Sequence, residues 1–115
     1  MTINELCALA HDNSREHGFW DGVEDVTTVI PEKLCLIHAE VSEALEEYRA
    51  GHVHLWIQNG KPEGLVVELA DAVIRICDLY EALRRRLGLE SFEEVIAEKH
   101  KYNMSRAYRH GGKKA

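Results

Sequence analysis

The chain is 115 residues long with a formal net charge of −6, so it is sized for one domain and carries the wrong sign for a general nucleic-acid or membrane-surface binder. With 45% hydrophobic and 30% charged residues it has the composition of an ordinary globular protein, and it has no apolar run long enough to span a bilayer. Cys7, Cys35 and Cys77 are odd in number and widely spaced, with no Cys-x-x-Cys, which predicts reduced thiols in a cytoplasmic protein. The N-terminal Met-Thr-Ile-Asn-Glu lacks a basic stretch followed by an apolar one, so no secretory signal is expected.

Four helices are predicted in chain order. Thr2-Ile-Asn-Glu5 is a capping box opening the first, with Leu6, Leu9 and Ala10 at helical spacing and a stop near Gly18. Residues 19–30 are less regular, and the β-branched run Val26–Ile30 has no visible partner strand, so a loop is expected. Pro31 suits the first turn of a second helix. Its apolar stripe is Leu34, Ile37, Val41, Ala44, Leu45 and Tyr48, and Gly51 is its stop. Residues 52–63 connect onward, with turn signals at Asn59-Gly60 and Lys61-Pro62. A third helix starting near Pro62 or Glu63 runs to Gly88, and the basic Arg84-Arg-Arg86 suits its last turn. Ser91-Phe-Glu-Glu94 is a second capping box and opens the fourth helix, which packs through Phe92, Val95, Ile96 and Tyr102. The expected architecture is all-α, a four-helix-bundle-like single domain over 1–115 with a basic tail from 107 onward.

The chemistry lies in two acidic pairs, Glu40-x-x-Glu43 and Glu68-x-x-Asp71, each inside an apolar helical pattern. A spacing of three puts both carboxylates of a pair on one side of a helix, one turn apart. Two such helices face to face gather four carboxylates that repel one another unless a cation joins them. Hard divalent ions need several oxygen ligands, and Mg²⁺ takes carboxylates with water and phosphate, so a Mg²⁺ site between helices and phosphate chemistry are expected, with Mn²⁺ a workable substitute. Glu40 lies nearest the apolar stripe, Glu47 follows on the same flank, and Glu43 is further round. On the third helix Glu68, Asp71, Arg75 and Asp78 form one polar stripe, in which Asp78 reads as a solvated residue or a partner of Arg75. On the fourth, Lys99, Asn103 and Arg106 are spaced four and three apart and share a face. Trp20 reads equally as a ring stacking on a nucleobase or as a core anchor. His38, close in sequence to the first pair, reads as structural or surface.

With these residues in place the chain resembles the MazG-like all-α nucleoside triphosphate pyrophosphohydrolases. The resemblance rests on the two acidic pairs separated by residues 44–67, on Gly18-Phe-Trp-Asp21 and Lys61-Pro-Glu-Gly64, and on Glu98-Lys-His-Lys-Tyr-Asn103, Arg106 and His110-Gly-Gly-Lys113. It implies hydrolysis of a ribo- or deoxyribonucleoside triphosphate between the α and β phosphates, releasing the monophosphate and pyrophosphate. It also implies metal ligands at Glu40, Glu43, Glu68 and Asp71, and a homodimer or dimer of dimers. A carboxylate not fully committed to metal can orient water as general base, and Glu43 is the first choice, with Glu40 the other catalytic candidate. Lys99, Asn103 and Arg106 are suited to grip phosphate or sugar. The alternatives are a phosphoribosyl-ATP pyrophosphohydrolase and a non-enzymatic helical interaction module. A di-iron protein is disfavoured because neither acidic pair carries histidine at its fourth position.

Overall fold

The computed structural model describes residues 1–106 and is all-α, with four helices and one short hairpin. Helix α1 spans Ile3–Glu16, α2 Ile30–Arg49, α3 Leu65–Leu87 and α4 Phe92–Ser105. The predicted ends hold because local chemistry sets them. Thr2 accepts a hydrogen bond from the Glu5 N–H, and Ser91 accepts one from the Glu94 N–H. Pro31 sits in the first turn of α2, and Gly88 closes α3 in the left-handed conformation, its N–H donating to the Arg84 carbonyl at 2.9 Å.

Two connections differ from expectation. Residues 26–29, expected in a loop, form a single 3₁₀ turn capped by Asp25, whose Oδ1 accepts from the Thr27 N–H at 3.0 Å. This turn drives Val26 into the core, so the β-branched run acts as an apolar plug rather than a strand. Residues 56–63, expected as a plain connection, form an antiparallel hairpin of β1 (Trp56–Gln58) and β2 (Lys61–Glu63). Asn59 and Gly60 both have positive φ (52° and 79°), as a tight two-residue hairpin turn needs. Pro62, expected at a helix start, lies opposite Ile57 in β2. Counting from the turn, that is a non-hydrogen-bonded pair, which a residue without an N–H tolerates. α3 therefore begins two residues later, after Gly64 at φ 118°, where a Cβ would collide with the His54 carbonyl oxygen. The crossing chain at His52 and Val53 offers its carbonyls to the Leu65 and Val66 N–H groups and so caps α3.

Helices α2 and α1 both pack on α3, while α4 reaches back mainly to α1. The core has two small centres. One is Trp20, Val26, Leu79 and Ala82, with Val23, Val29, Ile30, Ile37 and Leu83 around it. The other is Cys7, Ala10 and Cys77, closed by Leu6 and Phe92; the Phe92 ring stacks on Tyr80 at 4.4 Å. Paired hydrogen bonds between Asn4 and Glu93 pin the starts of α1 and α4 together. Much of the apolar stripe expected to face a core is not covered within one chain: Leu34, Val41, Leu45 and Tyr48 on α2, and Val66, Leu69, Val73 and Ile76 on α3, stay exposed. On α4, Val95, Ile96 and Tyr102 do too. The Cα radius of gyration is 16.7 Å, against about 13 Å for a compact chain of roughly 100 residues, so the fold is open. Among the described residues no helix is long and apolar enough to cross a membrane.

Candidate metal centre

The α2–α3 pairing brings the two acidic pairs together. One ligand oxygen each from Glu40, Glu68 and Asp71 lies within 4.8 Å of the others. Glu40 is 7% exposed, yet its Oε2 has no hydrogen-bond partner, and the buried Glu68 Oε2 is orphaned in the same way. Oxygens taken from water without a partner are costly unless a cation or proton takes that place. Glu43 lies close enough to bear on the protonation of Glu40 and Glu68, but it is exposed and stands outside the group of three. Glu47, one turn further along α2, also buries an orphaned Oε2; the His52 Nδ1 atom is 3.5 Å away, long for a hydrogen bond.

The electrostatics follow from crowding. Burial, then hydrogen bonds shared with Glu40 and Glu43 and the charges of both, push Glu68 up to about 7. Burial acts on Glu40 as well, but the Arg75 guanidinium and the hydrogen bonds shared with Glu68 and Glu43 outweigh it and hold Glu40 below the usual carboxylate range. Asp71 is raised by burial and by the Glu40 charge, partly offset by Arg75 and by Lys61 of the hairpin. Without metal, crowding makes Glu68 the carboxylate that takes up a proton most readily, while Arg75 offsets the charge of Glu40.

That arginine is the residue the sequence reading paired differently. Arg75 Nε donates to Glu40 Oε1 at 2.8 Å. Asp78, expected to be solvated or paired with Arg75, instead accepts from Trp20 Nε1 at 2.9 Å and bonds His11 Nδ1 at 2.8 Å. Trp20 is 5% exposed and packed in the core. Of its two readings the structure therefore supports the core anchor, since a buried ring is not free to stack on a base. His38 is exposed, in keeping with a surface role.

Beside the carboxylates opens a cleft of about 510 Å³, walled by Asn13, Ser14 and Phe19 from the α1 side, Lys33 and Glu40 from α2, and Asp71, Arg75 and Asp78 from α3. Its volume suits a small-molecule ligand. Among the described residues its cations are Lys33 and Arg75, neither of which sequence reasoning assigned to the site. Lys33 Nζ also points at the Phe19 carbonyl (3.4 Å) and lies 4.4 Å from the Trp20 ring centroid, tying the α1–α2 connection over the cleft. Lys99, Asn103 and Arg106 do not line it. All three are exposed, and Lys99 and Arg106 lie against the Tyr102 ring instead, at 4.9 and 5.6 Å. Arg106 stands just past the end of α4 in extended backbone, so the expected shared helical face stops at Asn103. The predicted His110–Lys113 element lies outside the described residues.

No known protein family matches the chain, and neither a curated protein nor a solved structure does.

Proposed function

We propose that the chain is a Mg²⁺-dependent nucleoside triphosphate pyrophosphohydrolase, cleaving between the α and β phosphates to a monophosphate and pyrophosphate. The observation that carries this reading is the knot of Glu40, Glu68 and Asp71, with two orphaned buried oxygens, opening onto a ligand-sized cleft that holds two cations. The donor set fits the metal: all-oxygen, anionic, on two rigid helices, with a fourth carboxylate at the rim. Glu40, Glu68 and Asp71 would hold it, with Glu43 beside them. Bound there, divalent ions would offset charge on phosphate oxygens and make a water more acidic. Glu43, the exposed carboxylate, would orient the attacking water and accept its proton. The water oxygen bonds to a phosphorus, the bridging α–β oxygen leaves, and Arg75 and Lys33 supply cations for the phosphate chain.

The uncovered stripes on α2 and α3 support a homodimer in which a second copy covers them, and they are too extensive to be scattered surface residues. Such a pairing, or a dimer of dimers, is also how Lys99, Asn103 and Arg106 would reach a cleft that their own chain does not extend them to. We take the compartment to be the cytoplasm, where Cys7 and Cys77, adjacent in the core, stay reduced.

The test is product identity. Purified protein with Mg²⁺ and a panel of canonical and modified triphosphates should release pyrophosphate and a monophosphate, separated by ion-exchange chromatography. A diphosphate with orthophosphate would overturn the reading.

A further inference from the structure

Arg75 sits one turn beyond Asp71 and two beyond Glu68 on α3, so it shares their face. Its two ends do different things. The inner nitrogen, Nε, donates to Glu40 Oε1 at 2.8 Å. That bond holds one Glu40 oxygen and leaves the other buried and without a partner, in a carboxylate grouped with Glu68 and Asp71. The terminal nitrogens make no hydrogen bond among the described residues, and the side chain is 43% exposed where it walls the cleft. Arginine offers a planar fork of donors, and one edge can bind a carboxylate while the other stays open to an oxyanion.

We propose that Arg75 is a bridging residue with two separable tasks: Nε positions the metal ligand Glu40, and the outer edge of the guanidinium binds a phosphate of the nucleotide in the adjoining cleft. The second task rests on the pyrophosphohydrolase reading, whereas the first needs only the metal. The positioning task follows from geometry. A carboxylate with one oxygen held offers the other in a single direction, and losing such an outer partner typically costs roughly 10–100-fold in metal affinity. The binding task follows from what faces the cleft. Glu40, Asp71 and Asp78 make its walls acidic, so an anionic chain needs a cation at the same wall, and Arg75 is the one adjacent to the carboxylate knot.

Lysine at this position separates the tasks, because an ammonium can still donate to Glu40 Oε1 but cannot form a fork. Mg²⁺ affinity is measured by isothermal titration calorimetry on the full chain without nucleotide. Affinity for a non-hydrolysable α,β-methylene triphosphate is then measured at saturating Mg²⁺. Arg75→Met is expected to weaken Mg²⁺ by roughly 10–100-fold and the analogue tenfold or more. Arg75→Lys is expected to recover most of the metal affinity and little of the analogue affinity. Circular dichroism melting of both variants confirms that they remain folded. Wild-type Mg²⁺ affinity in Arg75→Met overturns the positioning task, and recovery of both affinities together in Arg75→Lys overturns the fork, each leaving the pyrophosphohydrolase reading in place. A wild-type chain that binds Mg²⁺ but not the analogue instead removes the nucleotide reading and the fork with it, while the positioning result stands. A wild-type chain that binds no Mg²⁺ removes both tasks and the metal reading.

Discussion

Replacing Glu68 by glutamine should stabilise the protein without metal and deprive it of stabilisation with metal. Glu68 is held up at about 7, against an ordinary value of 4.5. For a raised acid, the stabilising contribution is complete below the unfolded value and is lost as pH climbs through the folded one. The metal-free wild type should therefore lose stability between about pH 4.5 and just above 7, and Glu68→Gln, in which the raised Asp71 still titrates, should lose less. Every tenfold difference in proton affinity between the folded and unfolded chain corresponds to about 1.4 kcal/mol. Solvent at the rim and the sharing of protons with Glu40 reduce the total, leaving on the order of 1–2 kcal/mol at pH 8. In a chain this small that is roughly 4–16 °C in melting temperature. Saturating Mg²⁺ should reverse the order, since ligand at a hundred times its dissociation constant adds about 2.7 kcal/mol to the wild type and much less to the variant. Thermal melts by circular dichroism at pH 5 and pH 8, with and without Mg²⁺ and at one fixed protein concentration, make the comparison. Equal melting of the two proteins at pH 8 without metal would refute the argument from crowding, and an unreversed order with Mg²⁺ would refute the ligand assignment.

Trp20→Phe should cost roughly 1.5–3 kcal/mol in denaturant melts, because it strips a charge-assisted hydrogen bond from Asp78; its KM for nucleotide should not change, whereas a stacking ring would raise it. Gly64→Ala should destabilise by more than the roughly 1–2 kcal/mol that a left-handed backbone costs an L-residue, since the new Cβ meets the His54 carbonyl, while Gly51→Ala, with open space at φ 81°, should show only the backbone part. Glu68→Gln and Arg106→Ala should each be nearly inactive alone and regain activity when coexpressed, if a second copy brings α4 to the cleft; mixtures no more active than the separate proteins would remove Arg106 from the site.

The helices were legible because their ends are local: Thr2, Ser91, Pro31, Gly51 and Gly88 act on backbone groups within a turn of themselves. The acidic knot was legible for a related reason, since spacing alone puts Glu40 with Glu43 and Glu68 with Asp71, and only the α2–α3 pairing had to follow. The hairpin was not, because three-residue strands are too short to show an alternating pattern, even though Asn59-Gly60 marked the turn. The partners of Arg75 and Asp78 depend on how α1 and α2 are set against α3, which no spacing within one helix reveals. Helical periodicity marked which residues are apolar but not which of two neighbours covers them, so Val41 and Leu45 read as part of a packing stripe and stand exposed in a single chain. Lys99, Asn103 and Arg106 were grouped by spacing, and that grouping assumed a helix that in fact stops one residue short.

Direct binding of Mn²⁺ tests the carboxylate centre most plainly, because the electron paramagnetic resonance signal of free aqueous Mn²⁺ falls as the ion is bound. Titrating Mn²⁺ into the wild type should give saturable loss of the free-ion signal, reversed by excess Mg²⁺, and a Glu40→Gln, Glu68→Gln, Asp71→Asn triple variant that melts cooperatively should leave the signal at its protein-free level. Equal Mn²⁺ uptake by the triple variant would contradict the assignment of these three carboxylates as the metal centre.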